Sequence, residues 1–172
     1  SPAMSGLSKL TKATTSPITE GEGQAIMPLP NIDETGDLPP GVHHATLDEV
    51  LRHFGALGGQ RGACTRHLSH ICELAQRTGH LQRCIIFGSY VTSKPDPNDV
   101  DVVLVMDDAF RLEDCPIEAR GLFDHAVAQA RYGASIFWVR PGMLIEASIE
   151  EFIAHWQVKR DGSKCGIVEV IP

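Results

Sequence analysis

The sequence predicts an α+β fold in which helices cover a mixed β-sheet, on three observations. The 172 residues are 42% hydrophobic, which is enough for one core and fits one domain with a tail. Short runs rich in valine and isoleucine alternate with longer amphipathic segments. Capping residues and glycines bound those segments, so the predicted order of elements is α, α, β, β, α, β, α, β.

The first 40 residues differ in composition from the rest of the chain. They hold six of the eleven prolines, and all ten aromatic residues lie after them. We therefore predict an extended, proline-rich N-terminal tail over residues 1–40 and a folded domain over residues 41–172. Residues 1–3 precede Met4 and are interpreted as a cloning remnant. An apolar island lets the tail dock on its own domain or on a protein partner; it consists of Ile26, Met27, Leu29 and Ile32.

Two helices are predicted before the first strand. Residues 46–49, Thr-Leu-Asp-Glu, form a capping box that begins a helix running to about Phe54. The glycine-rich segment 55–62 breaks the pattern. A second helix is predicted over residues 63–77, and Gly79 ends it.

Two strands come next, over residues 84–87 and 100–106. A loop over residues 90–98 with two prolines connects them, and a hairpin is the simplest pairing.

The remaining elements follow the same rules. A helix is predicted over residues 116–132, with proline in its first turn and glycine as its stop. A strand over 135–139 follows, and a capping box at 148–151 begins a helix that ends before Asp161. Residues 166–171 form the final predicted strand.

Charge and apolar patterning limit the classes of partner. Lys and Arg number 15 against 22 Asp and Glu, a net charge of −7, which argues against a large duplex-DNA interface and mildly against an RNA acceptor. No run approaches the roughly 20 apolar residues that span a bilayer, so no membrane partner is expected. The five cysteines are odd in number and lack a CxxC pair, which favours reduced thiols and a cytoplasmic location.

The residues that carry chemistry follow the first predicted strand. Two aspartates spaced by two on a strand face the same side, so Asp99 and Asp101 should lie together, and Mg²⁺ is the usual partner of such a pair. Gly88 lets backbone approach a ligand closely, and Ser89 can donate to phosphate oxygens. Lys94 offers a positive charge in the intervening loop.

This order of strand, Gly-Ser, loop and Asp-x-Asp resembles the DNA polymerase beta-like nucleotidyltransferase superfamily over residues 87–105. A weaker similarity to its minimal bacterial members extends over residues 38–172. The resemblance implies a nucleotidyltransferase-like fold that transfers a nucleoside monophosphate from an NTP to a hydroxyl acceptor with release of pyrophosphate. The acceptor would be a protein, an RNA end or a small molecule, and some members of the superfamily serve in toxin–antitoxin pairs or defence.

The resemblance also assigns roles to residues of this chain. Asp99 and Asp101 would be the catalytic pair that holds Mg²⁺ or Mn²⁺, while Gly88 and Ser89, helped by Lys94, would bind the nucleotide phosphates.

One family feature is missing from the sequence. Family enzymes carry a third carboxylate on a later strand, where this chain has Ser135, and serine neither balances a second metal nor acts as a base near neutral pH. The alternative is therefore a catalytically degenerate nucleotide-binding or protein-interaction module, antitoxin-like in role. Four other acids could approach the site in the folded chain and replace this carboxylate: Asp124, Glu146, Asp161 and Glu169.

Two further groups of residues have a structural and a functional interpretation. Trp138 and Trp156 are core residues in the simpler view and base-stacking residues in the other. A set of cysteines and histidines between Cys64 and Cys84 has the composition of a zinc site but not its paired spacing, so structural roles are favoured.

Overall fold

The computed structural model describes residues 28–172, in which one mixed sheet and five helices form the expected α+β architecture. The sheet order is β1-β5-β2-β3-β4. The strands are β1 (Gly41–Thr46), β2 (Leu81–Phe87), β3 (Val100–Met106), β4 (Ala134–Val139) and β5 (Gly166–Ile171). The helices are α1 (Leu47–Phe54), α2 (Gly59–Arg77), α3 (Ile117–Arg120), α4 (His125–Tyr132) and α5 (Ile149–His155).

Strand directions bring several strand ends to one edge of the sheet. β2 is antiparallel to both β3 and β5, which confirms the predicted antiparallel pairing of the first two sequence-predicted strands. β1 pairs parallel with β5, and β3 pairs parallel with β4. The C-terminal end of β2 therefore lies beside the N-terminal ends of β3, β4 and β5. We call this end of the sheet the site end.

The two faces of the sheet are covered unequally. One face packs against α1, α2, α3 and α4 through the larger core cluster, which includes Val102, Leu104 and Ile86. The opposite face packs against α5 through a smaller cluster that includes Ile85, Val103 and Ile153. Because α5 has only seven residues, this second face stays partly open at the site end.

Strand β1 was missed by the sequence analysis, and β2 begins earlier than predicted. Within β1, Ala45 alone is buried, so the strand lacks the apolar alternation that would reveal it. β2 begins at Leu81 rather than at residue 84. The sequence analysis missed its first three residues because Gln82 is exposed and Arg83 is half-buried, so the apolar run starts only at Cys84.

Helix α2 begins at Gly59, so the predicted break over residues 55–62 is too long. Gly62 is buried inside the helix, where an added Cβ would lie 2.9 Å from the carbonyl carbon of Leu57. This glycine therefore permits close packing of the α1–α2 connection rather than a break in the helix.

The single helix predicted over residues 116–132 is two helices. A 3₁₀ turn over Gly121–Phe123 follows α3, and the Asp124 side chain then accepts a 3.1 Å hydrogen bond from the Val127 amide to begin α4. Asp124, which the sequence analysis places inside one long helix, is the N-cap of α4. The last helix also ends early, at His155, and residues 156–165 form a loop closed by a bridge between Val158 and Lys164.

The folded domain begins before residue 41. Leu29 is 7% exposed and Leu38 is fully buried, and the Leu29 amide donates to a Glu49 carboxylate oxygen at 2.8 Å. Residues 28–40 thus dock on their own domain rather than forming a free tail. The interpretation of residues 1–27, including the cloning remnant and the apolar positions Ile26 and Met27, lies outside the described residues.

The described helices include none that is both long and apolar enough to cross a bilayer. All five cysteines carry free thiols, and four of them are buried.

Candidate functional site

A cavity of about 690 Å³ opens at the site end of the sheet, on the face covered by α5. Its floor is the sheet itself, and the segment after α5 overhangs it. Its polar and charged lining residues include Ser89, Asp101, Ser135, Asp37, Lys159 and Arg160. Residues that are far apart in sequence therefore meet around one space.

Gly88 and Asp101 are in direct contact at the centre of this site. Gly88 has a φ of +78°, and an added Cβ would lie only 2.0 Å from Oδ2 of Asp101. The carboxylate therefore occupies the space that any other side chain at residue 88 would need. Two residues that the sequence analysis proposed as partners are thus brought together, as β2 and β3 place Phe87 opposite Asp101.

The environment of Asp101 favours its protonated form. Burial, and then the charge of the nearby Asp99 carboxylate, raise the pKa of Asp101 to about 7 from an ordinary value near 3.8. A cation placed beside Asp101 would favour the ionised carboxylate, because its charge offsets the cost of burial and the repulsion from Asp99.

Ser135 joins the two aspartates from the neighbouring strand. It lies opposite Asp101 in the register of β3 and β4, and its hydroxyl is 3.1 Å from Oδ2 of Asp99 and 3.2 Å from Oε1 of Gln129. One hydroxyl proton serves only one of these acceptors at a time. Asp99 itself does not line the cavity, but Ser135, its partner, does.

Two carboxylates can bind a cation that is already coordinated by a bound ligand. They are too few to hold a metal ion permanently by themselves. Over residues 28–172 there is no cluster of three or more His, Cys, Asp or Glu side chains able to hold a metal ion. The histidines and cysteines between Cys64 and Cys84 accordingly form no such cluster. Mg²⁺ is commonly held by one or two carboxylates together with substrate phosphates and water, and the carboxylate that lines the cavity without an ion-pair partner is that of Asp101.

Ser89 begins a short 3₁₀ turn, Ser89–Val91, at the rim of the cavity. The Val91 amide donates to the Gly88 carbonyl at 3.3 Å, and the Thr92 amide donates to the Ser89 carbonyl at 3.2 Å. The first N–H groups of such a turn have no partner within the turn. Ser89 thus lines the same cavity as Asp101.

Lys94 is not brought to the cavity. Its side chain is exposed, and it is not among the lining residues. The cations that line the cavity are Lys159 and Arg160, from the loop after α5. Lys159 is held by a 2.5 Å ion pair with the buried carboxylate of Asp37. Sequence reasoning missed both cations because residues 156–160 were assigned to a helix.

The four acids considered as replacements for the third carboxylate lie elsewhere. Asp124 caps α4, Asp161 binds Ser163, Glu146 is exposed, and Glu169 pairs with Arg83 at 2.6 Å. None of the four lines the cavity. The acids that do line it are Asp37, which is paired with Lys159, and Asp101.

The two tryptophans take different roles. Trp138 packs beside Phe110 and Phe123 against the larger core cluster. Trp156 lines the cavity, with ring centroids 4.5 Å from Phe87 and 4.9 Å from Phe137. One wall of the cavity is therefore aromatic.

A protein-family model matches residues 30–171 of the chain, and its description is a family of unknown function (DUF6932). The match contains every cavity-lining residue, from Asp37 to Gly166, and it begins within the segment that docks ahead of β1. No curated protein and no solved structure matches the chain.

Proposed function

The chain belongs to the DUF6932 family, whose function is unknown, and from the motif resemblance together with the geometry of the site we propose that it is a magnesium-dependent nucleotidyltransferase. Its proposed donor is an NTP, and its proposed acceptor is a hydroxyl of a protein, an RNA end or a small molecule. The observation that carries the proposal is the contact between Gly88 and Asp101, with Asp99 linked to the same site through Ser135. The proposed fold class is nucleotidyltransferase-like.

The charges around the cavity support phosphate binding. Ser89 begins the turn that follows β2, and Lys159 and Arg160 line the same cavity from the loop after α5. A triphosphate bound with its metal in this cavity would have the metal beside Asp101 and its own negative charge near these two cations. We therefore transfer the role that the sequence analysis gave to Lys94 to these two cations.

The proposed reaction is an in-line displacement at the α-phosphorus. The acceptor oxygen bonds to that phosphorus, the bond to the bridging oxygen breaks, and pyrophosphate leaves with the electron pair. Mg²⁺ bound with the nucleotide would supply charge neutralisation for the phosphates. Asp99 and Asp101 would hold that charge in place. The acceptor proton would pass to cavity water, since Asp37 is committed to Lys159.

A second candidate is a degenerate nucleotide-binding or protein-interaction module. It is favoured by Ser135, which stands where an acid would be needed, and by the absence of any other unpaired carboxylate among the described residues that line the cavity. Two adjacent like charges would have no physical use in a fold that has abandoned both metal and nucleotide.

The first experiment is a thermal-shift titration with each NTP, with and without Mg²⁺. A ligand at 100 times its dissociation constant adds about 2.7 kcal/mol, which raises the Tm of a domain of this size by several degrees. The Asp99→Asn/Asp101→Asn variant should lose that shift while keeping or increasing its own stability, because the like-charge repulsion is removed. The Glu113→Gln/Asp114→Asn variant removes two exposed acids far from the cavity and should keep the shift.

A magnesium-dependent shift with one nucleotide selects the donor for a labelled-transfer assay. Binding without transfer to any acceptor would favour the degenerate module, and no shift with any nucleotide would reject the nucleotide site itself. The proposed setting is the cytoplasm, where NTPs and free thiols coexist.

A further inference from the structure

The connection between Gly88 and Asp99 is held by side chains from the beginning of α2. Gln60 Nε2 donates to the Asn98 carbonyl at 2.8 Å, immediately before Asp99. The Cys64 thiol lies 3.6 Å from the Pro97 carbonyl. The loop that carries the proposed phosphate contacts and leads into the aspartate pair therefore rests on one helix.

Arg61 makes the largest share of these contacts. Its Nη1 donates to the carbonyls of Phe54 and Tyr90 at 2.9 and 2.8 Å, and its Nη2 donates to the carbonyl of Thr92 at 3.1 Å and to that of Lys94. Four backbone carbonyls thus converge on one guanidinium. The guanidinium carbon Cζ of Arg61 also lies 5.2 Å from the centroid of the Tyr90 ring, so the cation stacks on an aromatic side chain of the same loop.

These contacts explain how an irregular loop keeps one conformation. Carbonyls that point toward α2 leave the opposite side of the loop to face the cavity, where Ser89 and Thr92 lie. A lysine could not replace the arginine, because its three donors radiate from one atom, whereas the guanidinium presents five donors in a planar fork. The geometry thus depends on arginine and not on positive charge alone.

We infer that Arg61 is a positioning residue for the proposed nucleotide site: by binding four carbonyls, it fixes the turn at Ser89 relative to the aspartate pair. This inference rests on the proposed function for its consequence, but its structural step does not require a nucleotide. The α2 residues Gln60 and Cys64 complete the same support at the Asp99 end of the loop.

The first arm of the test measures hydrogen–deuterium exchange of the full chain without ligand. The amides of residues 91–94 are hydrogen-bonded within the loop or to Gly36, so they report its conformation. Arg61→Lys should speed their exchange about tenfold or more and leave the amides of β3 unchanged. Arg77→Lys, an exposed position of the same helix paired with Glu73, should change neither. Equal loop exchange in Arg61→Lys and the unmodified chain overturns the inference.

The second arm measures the affinity for the Mn²⁺–nucleotide complex by electron paramagnetic resonance, with the nucleotide that the thermal-shift titration selects and at a temperature where all the variants are folded. Arg61→Lys should weaken binding of this complex several-fold although both aspartates remain, and Arg61→Gln should weaken it at least as much. A lower Tm with unchanged affinity for the complex would assign Arg61 to general stability and overturn the inference. If the unmodified chain binds Mn²⁺ together with none of the nucleotides, the metal part of the proposed function fails, and the exchange arm alone decides whether Arg61 fixes the loop.

Discussion

At the scale of single residues, the contact between Gly88 and Asp101 is the tightest constraint in the site. A carboxylate oxygen lies close to where a Cβ would be, and Gly88 has a φ of +78° with a ψ of −162°, a backbone conformation nearly confined to glycine. The glycine is therefore required twice, once by its conformation and once by its neighbour.

Gly88→Ala is expected to destabilise the protein by about 2–4 kcal/mol, because positive-φ strain adds to a clash with Asp101. Gly79→Ala separates the two causes, since Gly79 has a φ of +73° but open space around it, and should cost only about 1 kcal/mol. Urea unfolding measures both. Equal costs at the two positions would contradict the close contact. In an Asp101→Ala background, the cost at residue 88 should fall toward that at residue 79.

The raised pKa of Asp101 predicts how stability depends on pH in the absence of divalent cations. Below about pH 4 the Asp101 carboxyl is protonated in both the folded and the unfolded state. Its neutral form then contributes fully to the free energy of unfolding. Between about pH 4 and 7 the unfolded state releases this proton while the folded state keeps it, so stability falls as pH rises. The fall should amount to about 2 kcal/mol after solvent screening is allowed for.

The measurement is the difference in unfolding free energy between the unmodified chain and Asp101→Asn across this pH range, which cancels the other titrating groups. The variant should become relatively more stable up to about pH 7, with no further change above it. A difference that does not vary with pH would contradict the burial of this carboxyl.

The sequence analysis identified the local part of the site and missed the distant part. The contact of Asp101 with Gly88 follows from adjacent strands, whereas Asp99 precedes β3 and approaches the site through Ser135 rather than from the strand. Lys159 and Arg160 reach the cavity only because a loop folds back over the sheet. Their charges carry no periodic signal, so nothing local in the sequence could place them.

At the scale of elements, the boundary between α3 and α4 affects the site. Asp124 caps α4, and α4 carries Gln129, which contacts Ser135 beside Asp99. The sequence suggested one long helix because proline and glycine bounded a continuous amphipathic pattern. In the structure the pattern is interrupted at Asp124, because aspartate is a favoured N-cap residue and begins a new helix there.

Asp124→Ala should cost about 1 kcal/mol of stability, because the Val127 amide loses its acceptor. Asp124→Asn should recover most of the loss, since asparagine is an equally good N-cap. Denaturant unfolding of the two variants checks this. Equal losses for alanine and asparagine would show that charge, rather than capping, is what matters at this position.

At the scale of the whole molecule, residues 28–40 belong to the domain. Leu38 is fully buried, the Leu38 carbonyl accepts from the Gly166 amide at 2.8 Å, and Asp37 forms an ion pair with Lys159 in the lining of the cavity. Composition left open whether this segment docks on its own domain or on a partner, because prolines dominate there and only isolated apolar residues can pack. A few well-placed side chains dock residues 28–40 on their own domain.

Leu38→Ala should destabilise the domain by about 2–4 kcal/mol, the usual cost of a cavity in a core. Leu57→Ala is the matched control, because Leu57 is 99% exposed and its truncation should change stability by less than about 0.5 kcal/mol. Chemical denaturation compares the two variants. A small effect at Leu38 would restore the boundary at residue 41.

The position of β5 has a consequence for how the chain folds during synthesis. It lies between β1 and β2 in the sheet, yet it follows every other described strand in sequence. Until residues 166–171 leave the ribosome, β1 has no partner strand and one side of β2 is unpaired. The backbone N–H and C=O groups of these strands therefore lack their partners in the growing chain. Nascent chains that end at residue 165 should remain sensitive to protease. Chains carrying a C-terminal linker long enough to bring residues 166–171 out of the ribosome should become resistant in a single late step.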